Sequence, residues 1–251
     1  TNNQNSDKFS NIISQSNLPL VSVLIPLYNH EKFIVDCLNS IIDQNYPNIE
    51  IILVDDASQD DGLKIAKNKL SSANIISVVL KNNFNRGICA TLNRAVSIAS
   101  GKYICFIASD DLLARNRIRN HVNILENNND ELLIGCHGPV QIFEGSQSIG
   151  LKGNNQNNHD YTLSSVLLKT SQINLQGCTF LKNHLKRFSF DEDLYFEDWD
   201  FFIRIFLQNY KIVNDDNISA HYRKNANGAS KNILKIIESR KKIRDKYFEI
   251  I

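Results

Sequence analysis

The sequence predicts an α/β fold in which a mostly parallel central sheet is flanked by helices. Three observations lead to this prediction. Short apolar, β-branched runs alternate with segments of helical periodicity over the first 130 residues. The alternation recurs at intervals of about 25–30 residues, which is typical of right-handed βαβ units. Polar residues directly follow three of the predicted strands, at the carboxyl ends where sheets of this kind bind ligands.

The predicted elements of the first half follow one another from Leu20. Apolar runs predict strands over 21–25, 49–54, 75–80 and 103–107. Pro26 is expected to end the first strand because it has no N–H donor. Helical spacing predicts helices over 33–42, 60–70, 92–99 and 115–127, with Gly101 as the C-cap of the third.

The second half is less regular. Strands are predicted over 132–140, 140–143, 178–181 and 218–222, and helices over 162–169 and 196–206. Residues 144–160 are polar and rich in Gly and Asn, so a loop is expected there that serves as a mobile flap or as an acceptor loop. No linker interrupts residues 20–230, which predicts one domain over 19–230. Residues 1–18 are expected to be a flexible tail and 231–251 a basic amphipathic helix.

Composition narrows the functional classes. The chain has 251 residues, a net charge of +1 and 42% hydrophobic residues, which excludes a wholly disordered chain. A neutral chain has no basic field for nucleic acid. No apolar run approaches the roughly 20 residues of a membrane span, and the N-terminus has no secretory signal pattern.

Five cysteines without paired spacing indicate reduced thiols and a cytoplasmic protein. Because Met is absent even at position 1, the chain is expected to be processed or part of a longer protein.

Two pairs of adjacent carboxylates stand at predicted strand ends, Asp55-Asp56 and Asp110-Asp111. Adjacent carboxylates repel each other, so a cation or a hydrogen-bonding ligand is expected to compensate them. The alternative is that they cap the following helices, but a cap needs only one carboxylate. The chain has no glycine-rich phosphate loop. A bound phosphate would therefore need a divalent cation, Mg²⁺ or Mn²⁺, held on carboxylates.

Five ordered motifs, spread over about residues 20–230, resemble glycosyltransferase family 2 with the GT-A fold. They are Val21–Asn29, Val54–Ser58, Asn85–Gly87 with Leu92–Ala95, Gly101–Ile104 running to Ser109–Asp111, and Glu197-Asp198. Each motif is weak alone, but the shared order makes the resemblance specific. It implies a nucleotide-binding half over 19–112 and a smaller acceptor half over 113–230.

The resemblance implies an inverting sugar transferase with a UDP-sugar donor, Mn²⁺ or Mg²⁺, and a glycan or lipid-linked acceptor. Asp198 would be the general base and Asp111 the metal ligand. Tyr28 would lie against the nucleotide base, and Asp56 would accept from the uracil N–H. The implied nucleotide-binding residues are Pro26, Tyr28, Asp56, Arg86 and Asp110, and those beside the acceptor or donor sugar are Glu197, Gly177 and Cys178. The abundance of Asn, Lys and Ile indicates an AT-rich bacterial genome, so bacterial surface-polysaccharide synthesis is the expected setting.

Two positions depart from the family pattern. Ala108 stands where the family often has a further aspartate, and Asn225 where many relatives have a histidine. Two other functions stay open: a sugar-nucleotide nucleotidyltransferase, which usually needs a basic glycine-rich loop after the first strand, and a catalytically silent carbohydrate-binding protein.

Single residues also have simpler interpretations. Arg86 could equally be a surface arginine, and Asp198 could simply favour a helix N-terminus. The six histidines share no metal-ligand spacing and are expected to be surface or core residues. The apolar face of 231–251 either packs on the domain or a second subunit, or makes a peripheral contact with the cytoplasmic face of the inner membrane.

Overall fold

The structure, a computed structural model, describes residues 18–153, 161–168, 172–195, 197–225 and 232–248. Much of the predicted tail therefore lies outside the described residues, as do both ends of the predicted C-terminal helix. The strands are β1 (Val21–Leu27), β2 (Ile49–Asp55), β3 (Ile76–Lys81), β4 (Tyr103–Phe106), β5 (Leu112–Leu113), β6 (Leu133–His137), β7 (Val140–Glu144), β8 (Gln147–Lys152), β9 (Cys178–Leu181), β10 (Lys211–Asn214) and β11 (Ala220–Arg223).

Seven of these strands form the central sheet, in the order β10-β6-β9-β4-β1-β2-β3. Strand β9 runs antiparallel to both of its neighbours, β4 and β6. The other pairs are parallel, as the alternation of strands and helices predicts. After β1 the chain adds β2 and β3 on one side and then β4 on the other, so the direction of strand addition reverses between β1 and β4. An open parallel sheet forms its ligand crevice at such a point.

Helices cover both faces of this sheet. They are α1 (Ile34–Ile42), α2 (Gly62–Ser71), α3 (Ile88–Ile98), α4 (Arg117–Glu126), α5 (Leu163–Leu167), α6 (Lys182–Leu185), α7 (Glu197–Leu207) and α8 (Ile233–Lys246). Side chains of α1, α2 and α4 belong to one core cluster, and those of α3, α7 and α8 belong to the other. Because both faces are covered, β1 and β2 are buried almost throughout, and all five cysteines are buried and outside any disulfide.

A second, smaller sheet has the order β5-β11-β7-β8. Part of the predicted mobile loop 144–160 belongs to it, because β8 pairs antiparallel with β7 as a hairpin. That prediction is wrong for 147–152, while 154–160 lie outside the described residues. Strand β5 follows Asp111 directly and pairs with β11, which ends at Arg223. The small sheet thus brings Arg223 to the end of β4.

Two residues with expected roles as element ends have different positions. Pro26 lies inside β1 and is in register with Val54 of β2. The carbonyl of Leu24 accepts from Ile107 on the β4 side, and Pro26, two residues further, faces that side where pairing with β4 has ended. The missing N–H of Pro26 therefore removes no hydrogen bond between β1 and β4. Gly101 is not the cap of α3, which ends at Ile98; it packs against β1, where a Cβ would lie 2.7 Å from the Ser22 nitrogen.

Candidate active site

Asp111 is a fully buried carboxylate at the junction of the two sheets. Its Oδ1 accepts a hydrogen bond from the main-chain N–H of Arg223 at 2.7 Å, and its Oδ2 accepts one from the Gln176 side chain. Burial and the adjacent charge of Asp110 raise the pKa of Asp111 well above its usual range, against the hydrogen bonds from Arg223 and Gln176. A cation beside this carboxylate would oppose both causes of the increase.

The side chains of His30 and Arg223 both contact the neighbouring Asp110. The His30 Nε2 lies 3.8 Å from Asp110 Oδ2, and His30 Nδ1 forms a 2.8 Å hydrogen bond with Ser109 Oγ. The Arg223 Nε donates to the Asp110 carbonyl at 2.9 Å, and its guanidinium lies over the rings of Phe33 and Phe143. His30, expected to be a surface or core residue, therefore belongs to the candidate site, because it follows β1 at the same sheet edge.

Asp56, after β2, holds the loop that leads into α3. Its Oδ1 accepts from the Asn82 side chain at 2.7 Å and from the Arg86 N–H at 2.8 Å, and its Oδ2 accepts from the Gly87 N–H at 2.9 Å. The guanidinium of Arg86 lies 3.3 Å from Glu192, and both side chains are exposed. Since each carboxylate oxygen offers about two lone pairs, Asp56 Oδ2 keeps one acceptor position.

The chain after β1 and the chain after β2 are joined side by side. The Asp56 N–H donates to the Leu27 carbonyl at 2.8 Å, which brings Asp56 beside Tyr28, whose ring is 43% exposed. Asn29 and Ala57 both have left-handed backbones, with φ of 53° and 61°. For alanine this is an uncommon conformation, of the kind that clusters at binding and catalytic sites.

A 3-10 turn, Leu175–Gly177, directly precedes β9 and contacts Asp111. Gln176 contacts Asp111 through its side chain, and its carbonyl accepts from the buried Arg117. Cys178 follows directly and is fully buried. Burial raises the pKa of its thiol, and the charges of Cys136 and Asp198 add to the increase, against the charge of Arg117. The turn thus lies between Asp111, which its Gln176 side chain contacts, and the start of β9.

The remaining predicted residues lie at the start of α7 and in or next to this turn. Asp198 is half-buried in the first turn of α7, and Glu197 begins that helix, although its side chain lies outside the described atoms. Gly177 is buried, and a Cβ there would lie 2.6 Å from His137 Nε2. The buried positions of Gly177 and Cys178 make them supports of the turn, and their contact with an acceptor or donor sugar stays a prediction.

Asp110 and Asp111 are the residues that could hold a divalent cation. Their oxygens are the hard ligands that Mg²⁺ and Mn²⁺ prefer, and each Asp111 oxygen keeps a lone pair beyond its hydrogen bond. No group of three His, Cys, Asp or Glu side chains in the described part of the chain is arranged to hold a metal. The pair therefore fits a cation bound by one or two carboxylates and completed by substrate phosphates.

Sequence reasoning missed four side chains of this site. Gln176 and Arg223 contact Asp111 across separations of 65 and 112 residues, which periodicity cannot reveal. Arg117 is fully buried and donates to the carbonyls of Gln176 and Cys178. The only available signal was the position of His30, three residues after the end of β1.

Comparison with known proteins identifies the fold and the family. A sequence model of Glycosyl transferase family 2 matches residues 22–186. The chain belongs to glycosyltransferase family 2. Two solved structures share the fold: TarS of Staphylococcus aureus in complex with UDP-GlcNAc, and the mannosyltransferase PcManGT of Pyrobaculum calidifontis in complex with GDP-Man and Mn²⁺. Both superpose with a TM-score of 0.68, at 21% and 18% identity, over 84% and 94% of this chain and 61% and 66% of theirs. The predicted GT-A fold is confirmed.

Two curated glycosyltransferases are similar to this chain at the level of sequence. The glycosyltransferase GlyG of Streptococcus pneumoniae serotype 4 is 33% identical over 127 residues, 51% of this chain and 42% of its own length. WfaP of Escherichia coli, a UDP-Glc:α-D-GlcNAc-diphosphoundecaprenol β-1,3-glucosyltransferase, is 28% identical over 229 residues, 87% of this chain and 82% of its own. The chain thus spans less than half of one relative. Within its described residues no helix is long and apolar enough to cross a membrane.

Proposed function

We propose that this family 2 protein is an inverting glycosyltransferase that moves a sugar from a UDP-sugar to a hydroxyl of a glycan or lipid-linked acceptor. The observation that carries the proposal is the buried carboxylate of Asp111, which follows Asp110 and accepts hydrogen bonds from Arg223 and Gln176. This carboxylate is suited to a cation, and the half-buried Asp198 at the start of α7 is the proposed base. An inverting transfer needs these two functions on opposite sides of the reacting carbon.

The proposed chemistry assigns one step to each group. The acceptor oxygen attacks the anomeric carbon, the bond from that carbon to the diphosphate oxygen breaks, and its electron pair leaves with UDP. Asp198 takes the proton of the acceptor hydroxyl as general base. When bound at Asp111, the divalent cation would supply Lewis-acid stabilisation of the departing diphosphate. Asp110 would support the cation or the ribose.

The nucleotide would lie along the ends of β1 and β2. Tyr28 offers an exposed ring for the base, and the free acceptor position of Asp56 Oδ2 suits the N–H of uracil. The contacts of Asp56 with Arg86 and Gly87 order the loop at this position. Pro26 would act from within β1, and Arg86 would have to leave Glu192 to contact a phosphate.

The acceptor is proposed from the relatives. WfaP is named for a UDP-Glc donor and a diphosphoundecaprenol acceptor, and TarS was solved with UDP-GlcNAc. These names support a UDP-sugar and a lipid-linked acceptor for this chain, used in bacterial surface-polysaccharide synthesis at the cytoplasmic face of the inner membrane.

Thermal unfolding with nucleotide tests the proposal. At a hundredfold excess over its dissociation constant, UDP with Mn²⁺ should raise Tm by about 5–10 °C, from a stabilisation of about 2.7 kcal/mol. Asp111→Asn should keep the Tm of the free protein and lose the Mn²⁺-dependent increase, while Asp216→Asn, at an exposed aspartate, should keep it.

Hydrolysis of UDP-sugars and the choice of nucleotide then separate the proposal from a nucleotidyltransferase and from a catalytically silent protein. A panel of UDP-sugars is incubated with Mn²⁺, and hydrolysis is measured. A larger Tm increase with a nucleoside triphosphate than with UDP would favour a nucleotidyltransferase, and no metal-dependent increase with any nucleotide would favour a silent protein. Asp111→Asn activity above about a tenth of wild type at saturating Mn²⁺ would contradict the metal assignment.

A further inference from the structure

Helix α8 has one face that packs on the catalytic domain. Ser239, Ile243 and Tyr247 are buried there, and the hydroxyl of Tyr247 donates to Asp200 Oδ1 at 2.7 Å. The Lys246 ammonium donates to the same oxygen at 2.9 Å. The expected packing of this helix on the domain is therefore present, and it uses only part of the helix surface.

A second face of α8 is exposed, apolar and basic. Ile233, Leu234, Ile237 and Phe248 are 65%, 81%, 57% and 80% exposed. At 3.6 residues per turn Ile233, Leu234 and Ile237 fall within an arc of about 120° together with three basic residues, and Phe248 follows the C-terminal end of the helix. We call this surface the α8 arc; it consists of Ile233, Leu234, Ile237, Arg240, Lys241 and Arg244, with Phe248 beyond the helix end.

Acidic residues lie beside the α8 arc and not in it. Glu238 and Asp245 follow one edge, and Glu238 is paired with Lys242 at 3.3 Å. Lys241 and Arg244 form no ion pair with any described residue. The arc therefore combines exposed apolar side chains with the positive charges of Lys241 and Arg244, the combination found in helices that lie in a membrane interface.

We propose that the α8 arc docks this protein on an anionic lipid surface. Aliphatic and aromatic side chains would enter the boundary between headgroups and acyl chains, and the basic side chains would contact anionic headgroups. A second copy of the chain fits the arc less well, because a twofold contact would bring like charges of two arcs together. The proposal rests on the proposed function for its use, which is access to a lipid-linked acceptor.

The position of α8 supports that use. The Tyr195 N–H donates to Ser239 Oγ at 2.6 Å, and Lys242 donates to the Asp193 carbonyl at 3.4 Å. These contacts hold α8 against the segment that immediately precedes α7. Since Asp198 lies three residues after Tyr195, α8 packs beside the segment that leads into the helix of the proposed base.

Co-sedimentation of the full chain with vesicles tests the proposal. We expect binding at low salt to phosphatidylcholine vesicles that contain phosphatidylglycerol, and much weaker binding at high salt or to phosphatidylcholine alone. Leu234→Ser/Ile237→Ser should lower the partition coefficient at least tenfold. The matched control Ile76→Ser/Leu132→Ser replaces exposed apolar residues elsewhere and should leave it unchanged.

Charge variants test the second component. Lys241→Ser/Arg244→Ser should lower partitioning about thirtyfold, and the control Lys64→Ser/Lys67→Ser on α2 should have little effect. Hydrolysis of a UDP-sugar should stay at the wild-type rate in all four variants, so vesicle binding and the proposed function are measured separately. No binding of the wild-type chain to anionic vesicles, equal losses in test and control variants, or self-association abolished by Leu234→Ser/Ile237→Ser would overturn the proposal.

Discussion

Asp200 is the most consequential buried acid outside the proposed site, because it ties α8 to α7. It is fully buried and accepts from Arg204 Nε at 2.7 Å, Lys246 Nζ at 2.9 Å and Tyr247 Oη at 2.7 Å. In Asp200→Asn, one carboxylate oxygen becomes an NH₂ donor that faces donors. We therefore expect the variant to fold with a loosened α7–α8 contact and a lower free energy of unfolding.

The size of this effect follows from the partners that remain. Lys246 keeps Asp191 at 3.0 Å and Arg204 keeps the Ser189 carbonyl at 2.7 Å, and both side chains are partly exposed, so their lost interactions are screened. The buried hydroxyl of Tyr247 loses a bond to a charged acceptor, which costs about 1.5–3 kcal/mol. A total of about 3 kcal/mol is expected, which corresponds to a decrease in Tm of about 6–12 °C.

The dependence on pH identifies the carboxylate as the cause. Burial acts to raise the pKa of Asp200, but hydrogen bonds from Lys246 and Tyr247 and the charge of Arg204 outweigh it, so the pKa lies below its usual value. A lowered folded-state pKa adds stability above the unfolded value of about 3.9, and this stability is lost as pH falls through the folded value. The difference between wild type and Asp200→Asn should therefore be largest at neutral pH and shrink below about pH 4.

Denaturant unfolding of both proteins across this pH range is the assay. The control is Glu238→Gln, which removes an exposed ion pair of the same helix and should cost less than about 1 kcal/mol. If Asp200→Asn costs no more than Glu238→Gln at neutral pH, or if its cost does not change in acid, the reasoning about this buried network is wrong.

Two further predictions concern the site. Asp198→Asn should lower kcat by about 10²–10⁴-fold with little change in UDP affinity, because the proposed role of this residue is to take the acceptor proton and not to bind the donor; a parallel loss of UDP binding in calorimetry would assign it to the donor site or the fold. Gly177→Ala should lower Tm, because its Cβ would lie 2.6 Å from His137 Nε2, whereas Gly150→Ala meets only Ile142 Cδ1 at 3.5 Å and should leave Tm nearly unchanged; equal Tm values for the two variants would contradict the close packing of the turn.

Local patterns predicted the parts of the fold that are local in origin. The first four parallel strands and their helices follow from alternating apolar runs, because the strand period of two residues and the helix period of 3.6 residues both appear within short stretches of sequence. The strands β5 and β10 were missed because they are two and four residues long and have no clear period. Part of β8 was taken for a loop because all six of its residues are exposed and polar or small residues surround them.

The sequence by itself determined the α/β class, the family and the aspartates with proposed roles, since strand-end motifs are short and contiguous. Only the tertiary structure decided which side chains meet them. Gln176 and Arg223 reach Asp111 because β9 enters the sheet antiparallel and β11 pairs with β5, and such long-range pairing is fixed by packing of the whole core. Helix α8 shows the same division: its sequence specified an amphipathic helix, but only its packing through Ser239 and Ile243 decided which apolar side chains are buried and which form the exposed arc.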